Sequence, residues 1–314
     1  MPVVCLAILA ALAAPPIKPA LPAKYPPAVA ENTIKTIYRS RESAEGWLRD
    51  NAQSYLAAVQ RKDFAGKASL TVGRAPDNDL KIDDPLIQPH HLRVTVVGDS
   101  FHVVALDDSA RFRIEDSFEP RDTTVGPSSI MLGKEGALWG RYNLRLSHQN
   151  APALILLDAL SARFKQFHGL RHYPVDLTYR FLLPMTRNPR AGDSLWIAST
   201  RGTQRKAIRL GWFDFMVGKK PCRLSAFRML EPGINPNNTV VFFRDATSGK
   251  ETSAMGRYLE AIRFGANYLL DFNRAENPVC VFSNLYNCPI PPKENTLKVP
   301  IRAGEKDVNL EAVN

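Results

Sequence analysis

The spacing of apolar side chains changes along the chain, and the first regular pattern is helical. Between residues 31 and 60, Leu48, Tyr55 and Leu56 recur on one face of a helix whose opposite face is polar. This pattern predicts an amphipathic helix within a helical segment of residues 31–66, with its apolar face packed on a β domain. Gly46 is expected to mark the N-terminal limit of this helix or a break in it.

Short alternating runs replace the helical pattern from residue 67 to residue 150. Leu92–Val96 alternates, Gly98-Asp99-Ser100 turns the chain, and Phe101–Val103 resumes the alternation, which predicts a β-hairpin. Many short runs separated by glycine and proline indicate a β-sandwich. Residues 151–172 are predicted to be a connector with a possible short helix.

Strand patterns return from residue 173 and continue in the range 173–314. Trp212–Val217 and Arg223–Met229 flank the turn Gly218–Pro221, as expected for a second hairpin. The prediction is a second β-rich domain, either a sandwich or a partly closed barrel. The fold class is therefore mostly β, with one N-terminal helix.

Residues 1–14 have the pattern of a secretory signal peptide. The run Val3–Ala14 has the length of an apolar signal-peptide core, and Ala11-Leu12-Ala13 fits a cleavage site, although no Lys or Arg precedes the run. Residues 15–30 are rich in proline and are predicted to be a linker. The protein is thus expected to be exported, periplasmic or extracellular; if residues 1–14 instead form a buried strand or helix, it is cytoplasmic. No other apolar run is long enough for a stable membrane span.

The charge is basic, with a net value of +10 from 41 Lys and Arg against 31 Asp and Glu. The densest basic run, Arg201 to Arg209, has no interleaved aromatic side chains on which bases would stack. This favours a basic surface that faces solvent or anionic envelope polymers and argues against a nucleic-acid partner.

Part of the first β region resembles a forkhead-associated domain. The matching residues are Val72-Gly73-Arg74, Asn78-Asp79-Leu80 and His91-Leu92. The resemblance implies that Arg74 corresponds to the arginine that holds a phosphothreonine and His91 to the structural histidine. Gln88 stands at the serine position, and the asparagine of the family has no counterpart in residues 107–111. A forkhead-associated-like fold is therefore expected, with a phosphopeptide-type interaction module as the weaker alternative function.

Three C-terminal motifs, Phe243–Thr252, Leu270–Cys280 and Cys288–Asn295, resemble a bacterial and archaeal family named domain of unknown function 1684. The similarity begins at about residue 40. The family typically has a tyrosine where this chain has Ser253 and a proline where it has Val279. The resemblance implies a shared fold and carries no activity with it.

The same motifs gather arginines, carboxylates and amides at predicted strand ends. The candidate ligand-binding residues are Arg244, Asp245, Ser248, Gly249, Glu251, Arg257, Asp271, Asn273 and Asn277. Arginine forks can hold a carboxylate or phosphate, and the backbone of the turn Thr247–Gly249 can cradle an anion. The first hypothesis is binding of a small anionic or polar ligand or envelope component; the alternative is a hydrolase with Asp245 or Asp271 as general base. A third possibility is that these residues only fix loops, since Asp–Arg pairs and Asx-turns commonly do so.

The chain has four cysteines. Cys5 would be removed with the signal peptide, Cys280 and Cys288 enclose a short loop and are the candidate disulfide, and Cys222 remains. No metal site is expected, because the cysteine spacing is wrong and no histidine lies beyond His172. Phosphate-binding and dinucleotide-binding glycine patterns are absent, so no cofactor is expected.

Overall fold

The computed structural model describes residues 20, 22–114, 119–136, 139–190 and 192–308. The predicted signal peptide and residues 15–19 and 21 of the predicted linker lie outside the described residues. Within the described part of the chain, no helix is long and apolar enough to cross a membrane.

The N-terminal helix, α1 (Pro27–Asp50), starts inside the range predicted for the linker. Proline suits the first helical turn, where its missing N–H leaves no hydrogen bond unmade. Gly46 lies inside α1, so the prediction that it limits or breaks the helix was wrong. A single glycine within a long helix costs only about 1 kcal/mol relative to alanine, which the docking of the helix offsets.

Helix α1 ends earlier than the apolar pattern predicts, because two polar side chains take over the backbone hydrogen bonds. The N–H of Gln53 donates to Asn51 Oδ1 at 2.7 Å, and the hydroxyl of Ser54 donates to the Leu48 carbonyl at 2.8 Å. Such bonds compete with continuation of a helix. Leu48 and Leu56 are still buried in one apolar cluster, but they come from different elements.

The first β-sandwich confirms the fold expected for this region. Its ten strands are β1 (Ala58–Asp63), β2 (Ser69–Gly73), β3 (Leu80–Lys81), β4 (Leu92–Val97), β5 (Ser100–Ala105), β6 (Ala110–Ile114), β7 (Asp122–Val125), β8 (Ser129–Lys134), β9 (Tyr142–Ser147) and β10 (Ala153–Asp158). They form two five-stranded sheets with the orders β1-β10-β9-β8-β6 and β3-β2-β4-β5-β7, which enclose one apolar core. The predicted hairpin is β4–β5, with Gly98 in the left-handed conformation at φ 57°.

Strand β10 corrects the predicted connector, because residues 153–158 belong to the first sandwich. Five consecutive residues from Ala153 are buried, so the run shows no alternation. Leu154 packs in the sandwich core, whereas Leu157 packs on the opposite side against the second domain. A strand buried on both faces has a continuous apolar run. The short helix expected in the connector is α2 (Arg163–Gln166).

The second β domain contains nine strands in two further sheets. They are β11 (Arg180–Pro184), β12 (Thr186–Arg187), β13 (Ser194–Ala198), β14 (Gln204–Val217), β15 (Lys220–Met229), β16 (Val240–Phe243), β17 (Arg257–Glu260), β18 (Ile262–Phe264) and β19 (Asn267–Asp271). The orders are β11-β19-β18 and β12-β14-β15-β16-β17, with β13 beside β14. The two sheets share an apolar core, and the described strands close no barrel. Of the two predicted alternatives, the sandwich is the one formed.

Among the contacts that join the parts of the chain, two position the cleft described below. Ala57 and Leu157 of the first sandwich bury with Tyr286 and Cys288 of the second domain. Helix α1 lies on the second domain, where Arg41 donates to the Tyr173 carbonyl at 2.9 Å.

Candidate functional site

Asp245 and Arg257 form a closed ion pair. Both side chains have no exposed surface, and Arg257 Nη2 lies 3.4 Å from Asp245 Oδ1. Arg257 also donates to the Ile301 carbonyl at 2.8 Å, while Asp245 accepts the Thr247 hydroxyl at 2.9 Å and the Ile301 N–H at 2.5 Å. Burial lowers the pKa of Arg257, and the adjacent carboxylate opposes that effect. The pair fixes the C-terminal segment to β16 and β17, and a ligand cannot reach it.

Asp271 and Asn273 are also engaged within the protein. Asp271 pairs with Arg180, and it accepts the Asn273 N–H at 3.1 Å. The Asn273 side chain accepts the N–H of Asp176 at 2.8 Å and donates to its carbonyl at 2.9 Å. With Asp245 and Asp271 both buried and hydrogen-bonded, neither can take a proton from an attacking water. The structure therefore does not support either as the general base of a hydrolase.

Arg244, Ser248 and Gly249 shape the loop after β16. The Arg244 guanidinium donates to the Ala254 carbonyl at 3.2 Å, and the Ser248 hydroxyl donates to Asp245 at 3.2 Å. Gly249 is exposed with φ 78°, a conformation that glycine adopts without strain. These contacts are local to the loop.

Glu251 and Asn277 complete the predicted set, and both make contacts within the protein. Glu251 accepts from Arg302 at 2.8 Å and from the Tyr173 hydroxyl at 2.9 Å, and these two hydrogen bonds lower its pKa to about 2. The Asn277 side chain donates to the Lys306 carbonyl at 2.8 Å. The nine predicted residues thus form loop contacts and do not converge on one open concavity.

An open cleft lies instead between α1 and the second sandwich, and of the predicted residues it includes Asn273. Its volume is about 330 Å³. Its apolar wall includes Ile37, Val240, Phe242, Tyr258 and Ile262. Its charged and titratable groups are Arg41, His172, Glu260, Arg274, Glu276 and Glu305. The cleft is therefore mainly apolar with several polar groups, as small-molecule sites usually are.

Arg41 brings a guanidinium from α1 into this cleft. Two of its nitrogens donate to the carbonyls of Tyr173 at 2.9 Å and Asn273 at 3.0 Å. Its Nε is buried and has no hydrogen-bond partner among the described residues. A buried donor without an acceptor is costly, so this N–H is available to a bound group.

Glu305 and His172 lie side by side in the cleft. His172 Nε2 is 3.9 Å from Glu305 Oε1, and the other Glu305 oxygen accepts the Asn277 N–H at 2.8 Å. Burial raises the pKa of Glu305 to about 7, while burial and then the charge of Arg41 lower the pKa of His172 to about 4. Near neutral pH, His172 is therefore uncharged and Glu305 is partly protonated. Perturbed pKa values inside a cleft are typical of functional sites.

Glu276 is a second carboxyl group with a raised pKa in the cleft. Its side chain reaches solvent through the opening, but protein atoms surround it on most sides. This enclosure, and then the charge of Glu260, raise its pKa. Glu276 lies within the motif Leu270–Cys280, which was its available sequence signal, whereas Glu305 lies ten residues beyond the third motif. Nothing in the sequence indicated that Arg41 of α1 would complete the site.

The forkhead-associated-like sandwich keeps the structural histidine but only part of the phosphate site. His91 is buried, which lowers its pKa to about 4; it accepts the Gln88 N–H at 3.2 Å and contacts the Arg111 carbonyl at 3.1 Å. Arg74 is exposed and makes a long bond of 3.4 Å to the Ile87 carbonyl. Arg74 therefore lacks the neighbouring serine hydroxyl of the family, because position 88 is Gln88.

The three described cysteines, Cys222, Cys280 and Cys288, form no disulfide in this structure. Cys280 and Cys288 are nevertheless in contact, since the Cys280 N–H donates to the Cys288 sulfur at 3.1 Å and the two thiols are hydrogen-bonded. Their disulfide stays a prediction. Among the described residues, no group of three or more His, Cys, Asp or Glu side chains could hold a metal ion.

Comparison with known proteins gives two family matches. Residues 70–117 match the FHA domain, and residues 165–306 match the family described as protein of unknown function (DUF1684). No curated protein matches the chain. Among solved structures, the solution NMR structure of the uncharacterized protein from gene locus rrnAC0354 of Haloarcula marismortui is 28% identical, covers 47% of this chain and 80% of that chain, and has a TM-score of 0.38. Both resemblances are thereby confirmed: residues 70–117 are similar to the FHA domain and residues 165–306 to the DUF1684 family.

Proposed function

We propose that this protein binds a small organic anion in the cleft between α1 and the second sandwich. The observation that carries this proposal is the buried, unpartnered Nε of Arg41 at a concavity of about 330 Å³. The volume lies within the range of roughly 300–1,000 Å³ typical of ligand pockets. The ligand class is the one that the sequence suggested, but the site is the cleft beside α1 instead of the nine predicted residues.

Two guanidinium groups favour an anionic group on the ligand. Arg274 lines the cleft beside Arg41, donates to Ser40 Oγ at 3.0 Å, and keeps 33% of its side chain exposed. Arginine binds carboxylates and phosphates through paired N–H groups. The T-shaped rings of Phe242 and Tyr258, 4.7 Å apart, offer an apolar surface to the body of the ligand.

Glu305 makes the proposed binding dependent on pH. In its protonated form, Glu305 adds no negative charge to the cleft and can donate its O–H to an anionic oxygen. Ionisation above a pKa of about 7 removes that donor and repels the anion. Affinity is therefore expected to fall as the pH rises through about 7.

A thermal-shift screen of small aliphatic and aromatic carboxylates and phosphate monoesters tests the proposal. A compound at 100 times its dissociation constant should stabilise the protein by about 2.7 kcal/mol. The shift should be lost in Arg41→Gln and Arg274→Gln, and retained in Arg39→Gln, which changes an exposed arginine of the same helix. If no compound binds, or if Arg41→Gln responds like the wild type, the proposal fails.

A proton-transfer enzyme is the second candidate, and Glu305 favours it. A carboxyl group with a pKa of about 7 in a cleft is matched to general acid–base catalysis at neutral pH. Glu305 fits this role better than Asp245 or Asp271. We expect Glu305→Gln to abolish turnover of any ester or phosphoester substrate found by screening while retaining its binding; unchanged turnover would exclude Glu305 as the acid–base group.

Export to an oxidising compartment is also proposed, on the pattern of residues 1–14 and on the contact between Cys280 and Cys288. Mass spectrometry of the protein from its native source tests it. Loss of the first residues together with a mass two hydrogen atoms below that of the chemically reduced protein supports export, and an intact Met1 contradicts it.

A further inference from the structure

A second concavity, of about 280 Å³, lies where the first sandwich meets the second domain. Strands β8 and β9 contribute Ser129, Arg145 and Ser147, and His148 follows directly. The loop of residues 231–234 forms the opposite wall. The concavity therefore spans the boundary between the two domains and is separate from the cleft beside α1.

Arg145 is a half-buried arginine of β9 that has no carboxylate or hydrogen-bond acceptor among the described residues. Its register partners are Ser129 on β8 and Ile155 on β10, so it lies on the sheet face that turns towards the second domain. Its positive charge lowers the pKa of Tyr286 against the stronger effect of burial, which raises that pKa to about 12. A cation placed at such a boundary without a partner carries a desolvation cost.

Neighbouring polar groups are also unused. His148 Nε2 contacts the Gly98 carbonyl at 3.1 Å, but its Nδ1 is buried and has no partner among the described residues. Ser129 and Ser147 make no side-chain hydrogen bond within the described structure. Together with Arg145, the hydroxyls of Ser129 and Ser147 form a set of donors on one side of the concavity. In the neutral imidazole of His148, Nε2–H donates to the Gly98 carbonyl and Nδ1 can only accept, so His148 is not part of this set.

The carboxylate on the opposite wall does not neutralise Arg145. Glu231 is 6% exposed and is held by Arg205 through a two-point fork, with Nε to Oε1 at 2.6 Å. The Glu231 carboxylate and the Arg205 guanidinium thus use each other's hydrogen-bonding groups. Arg205 also donates to the Asn287 carbonyl at 3.0 Å. Within the described part of the chain, no carboxylate neutralises the charge of Arg145.

We propose that this concavity is an oxyanion site in which Arg145, Ser129 and Ser147 hold a phosphate group. A guanidinium and two hydroxyls can each donate a hydrogen bond to a phosphate oxygen. Hydrogen bonds to an ionised acceptor are stronger than those between neutral groups. Because residues 231–234 line the same concavity, a bound phosphate would lie between the two domains. The phosphate is either the free inorganic ion or the terminal group of a small phosphate monoester.

Calorimetric titration of the full chain with inorganic phosphate, at constant ionic strength, tests this site. Wild type should bind phosphate, and Arg145→Gln should bind it at least about tenfold more weakly, as expected for loss of a charged hydrogen-bond partner. Arg93→Gln, an exposed arginine on β4 of the same sandwich, should bind like wild type. Absence of phosphate binding to wild type, or equal binding by Arg145→Gln, would overturn the proposal.

A second variant keeps the test decisive if Arg145→Gln does not fold. Ser129→Ala removes one hydroxyl and should weaken phosphate binding several-fold while the circular dichroism spectrum is unchanged; an unchanged affinity would count against the site. A parallel titration with glycerol phosphate distinguishes the sources. Tighter binding than inorganic phosphate indicates a monoester ligand, and weaker binding indicates the free ion.

Discussion

Burial shifts the pKa values of Glu305 and His172 in opposite directions, although the two side chains lie 3.9 Å apart. The pKa of Glu305 rises from 4.5 to about 7, so in that range the folded protein holds a proton that the unfolded chain has released. The free energy of unfolding contributed by Glu305 therefore falls as the pH rises from about 4.5 to 7. The pKa of His172 falls from 6.5 to about 4, so its contribution rises with pH between these values. The two contributions oppose each other where their ranges overlap.

Replacing Glu305 with glutamine isolates its contribution. Relative to wild type, Glu305→Gln should gain roughly 3 kcal/mol of stability between about pH 4.5 and 7, since one pKa unit corresponds to about 1.4 kcal/mol. Urea unfolding at a series of pH values measures the difference. Glu42→Gln, on the exposed surface of α1, should follow the wild type throughout. A difference that does not change with pH would show that the pKa of Glu305 is not raised.

Arg257 provides the strongest expected effect on stability by a single polar side chain. Arg257→Met leaves the Asp245 carboxylate buried without its cation and removes donors from the carbonyls of Ile301 and Ala303. Breaking a buried pair by removing one partner should cost about 3–5 kcal/mol. Arg263→Met, an exposed arginine, should change the free energy of unfolding by less than about 0.5 kcal/mol. Similar small losses in both variants, measured by denaturant unfolding, would contradict the structural role of Arg257.

The sequence located the polar residues of the C-terminal motifs correctly, but it could not show what they contact. Asp245 looks like a ligand-site residue because it follows an apolar strand and has arginines near it in the sequence. The actual partners of Asp245 and Arg257 include backbone groups of residues 301–305, and backbone partners leave no mark on side-chain identity. Arg41 was missed for the complementary reason, since an arginine on an amphipathic helix usually faces solvent.

Local signals were sufficient for some elements and insufficient for others. The β4–β5 hairpin was predictable because alternating runs flank a glycine that adopts a positive φ. The end of α1 was not predictable from periodicity, because Asn51 and Ser54 stop the helix through specific hydrogen bonds. Strand β10 was missed because both of its faces are buried, which requires knowledge of the second domain.

Helix α1 buries two apolar side chains, Ile37 and Leu48, and Ile37 lies in the middle of the helix. Ile37 is 1% exposed, whereas Val29 of the same helix is 48% exposed. Ile37→Ala should therefore destabilise the docked helix by about 2–5 kcal/mol, and Val29→Ala should have little effect. Hydrogen exchange of the α1 amides, compared with the amides of β4, measures local release. Equal protection of α1 in both variants would show that Ile37 does not hold the helix.

At the scale of the whole molecule, the two sandwiches share a surface that the sequence did not reveal. Two separate β regions were predicted with a connector between them. Instead, β10 contributes one face to the first core and the other to the contact with Tyr286 and Cys288. The proposed phosphate site and the proposed disulfide both lie at or next to this boundary. A change that separates the two sandwiches is therefore expected to affect both phosphate binding and formation of the disulfide.

Coupling between the sandwiches can be tested at Leu157, which is 0% exposed and belongs to the contact between the domains. Because this contact is apolar, we expect wild type to unfold in one calorimetric transition that involves both domains. Leu157→Ala should cost about 2–5 kcal/mol, as for other buried leucines, and should separate the two transitions by weakening the contact that couples them. Leu160→Ala, only three residues away but 71% exposed, should leave the single transition unchanged. Two transitions in wild type would contradict the coupling, because the domains would then unfold independently even with the contact intact.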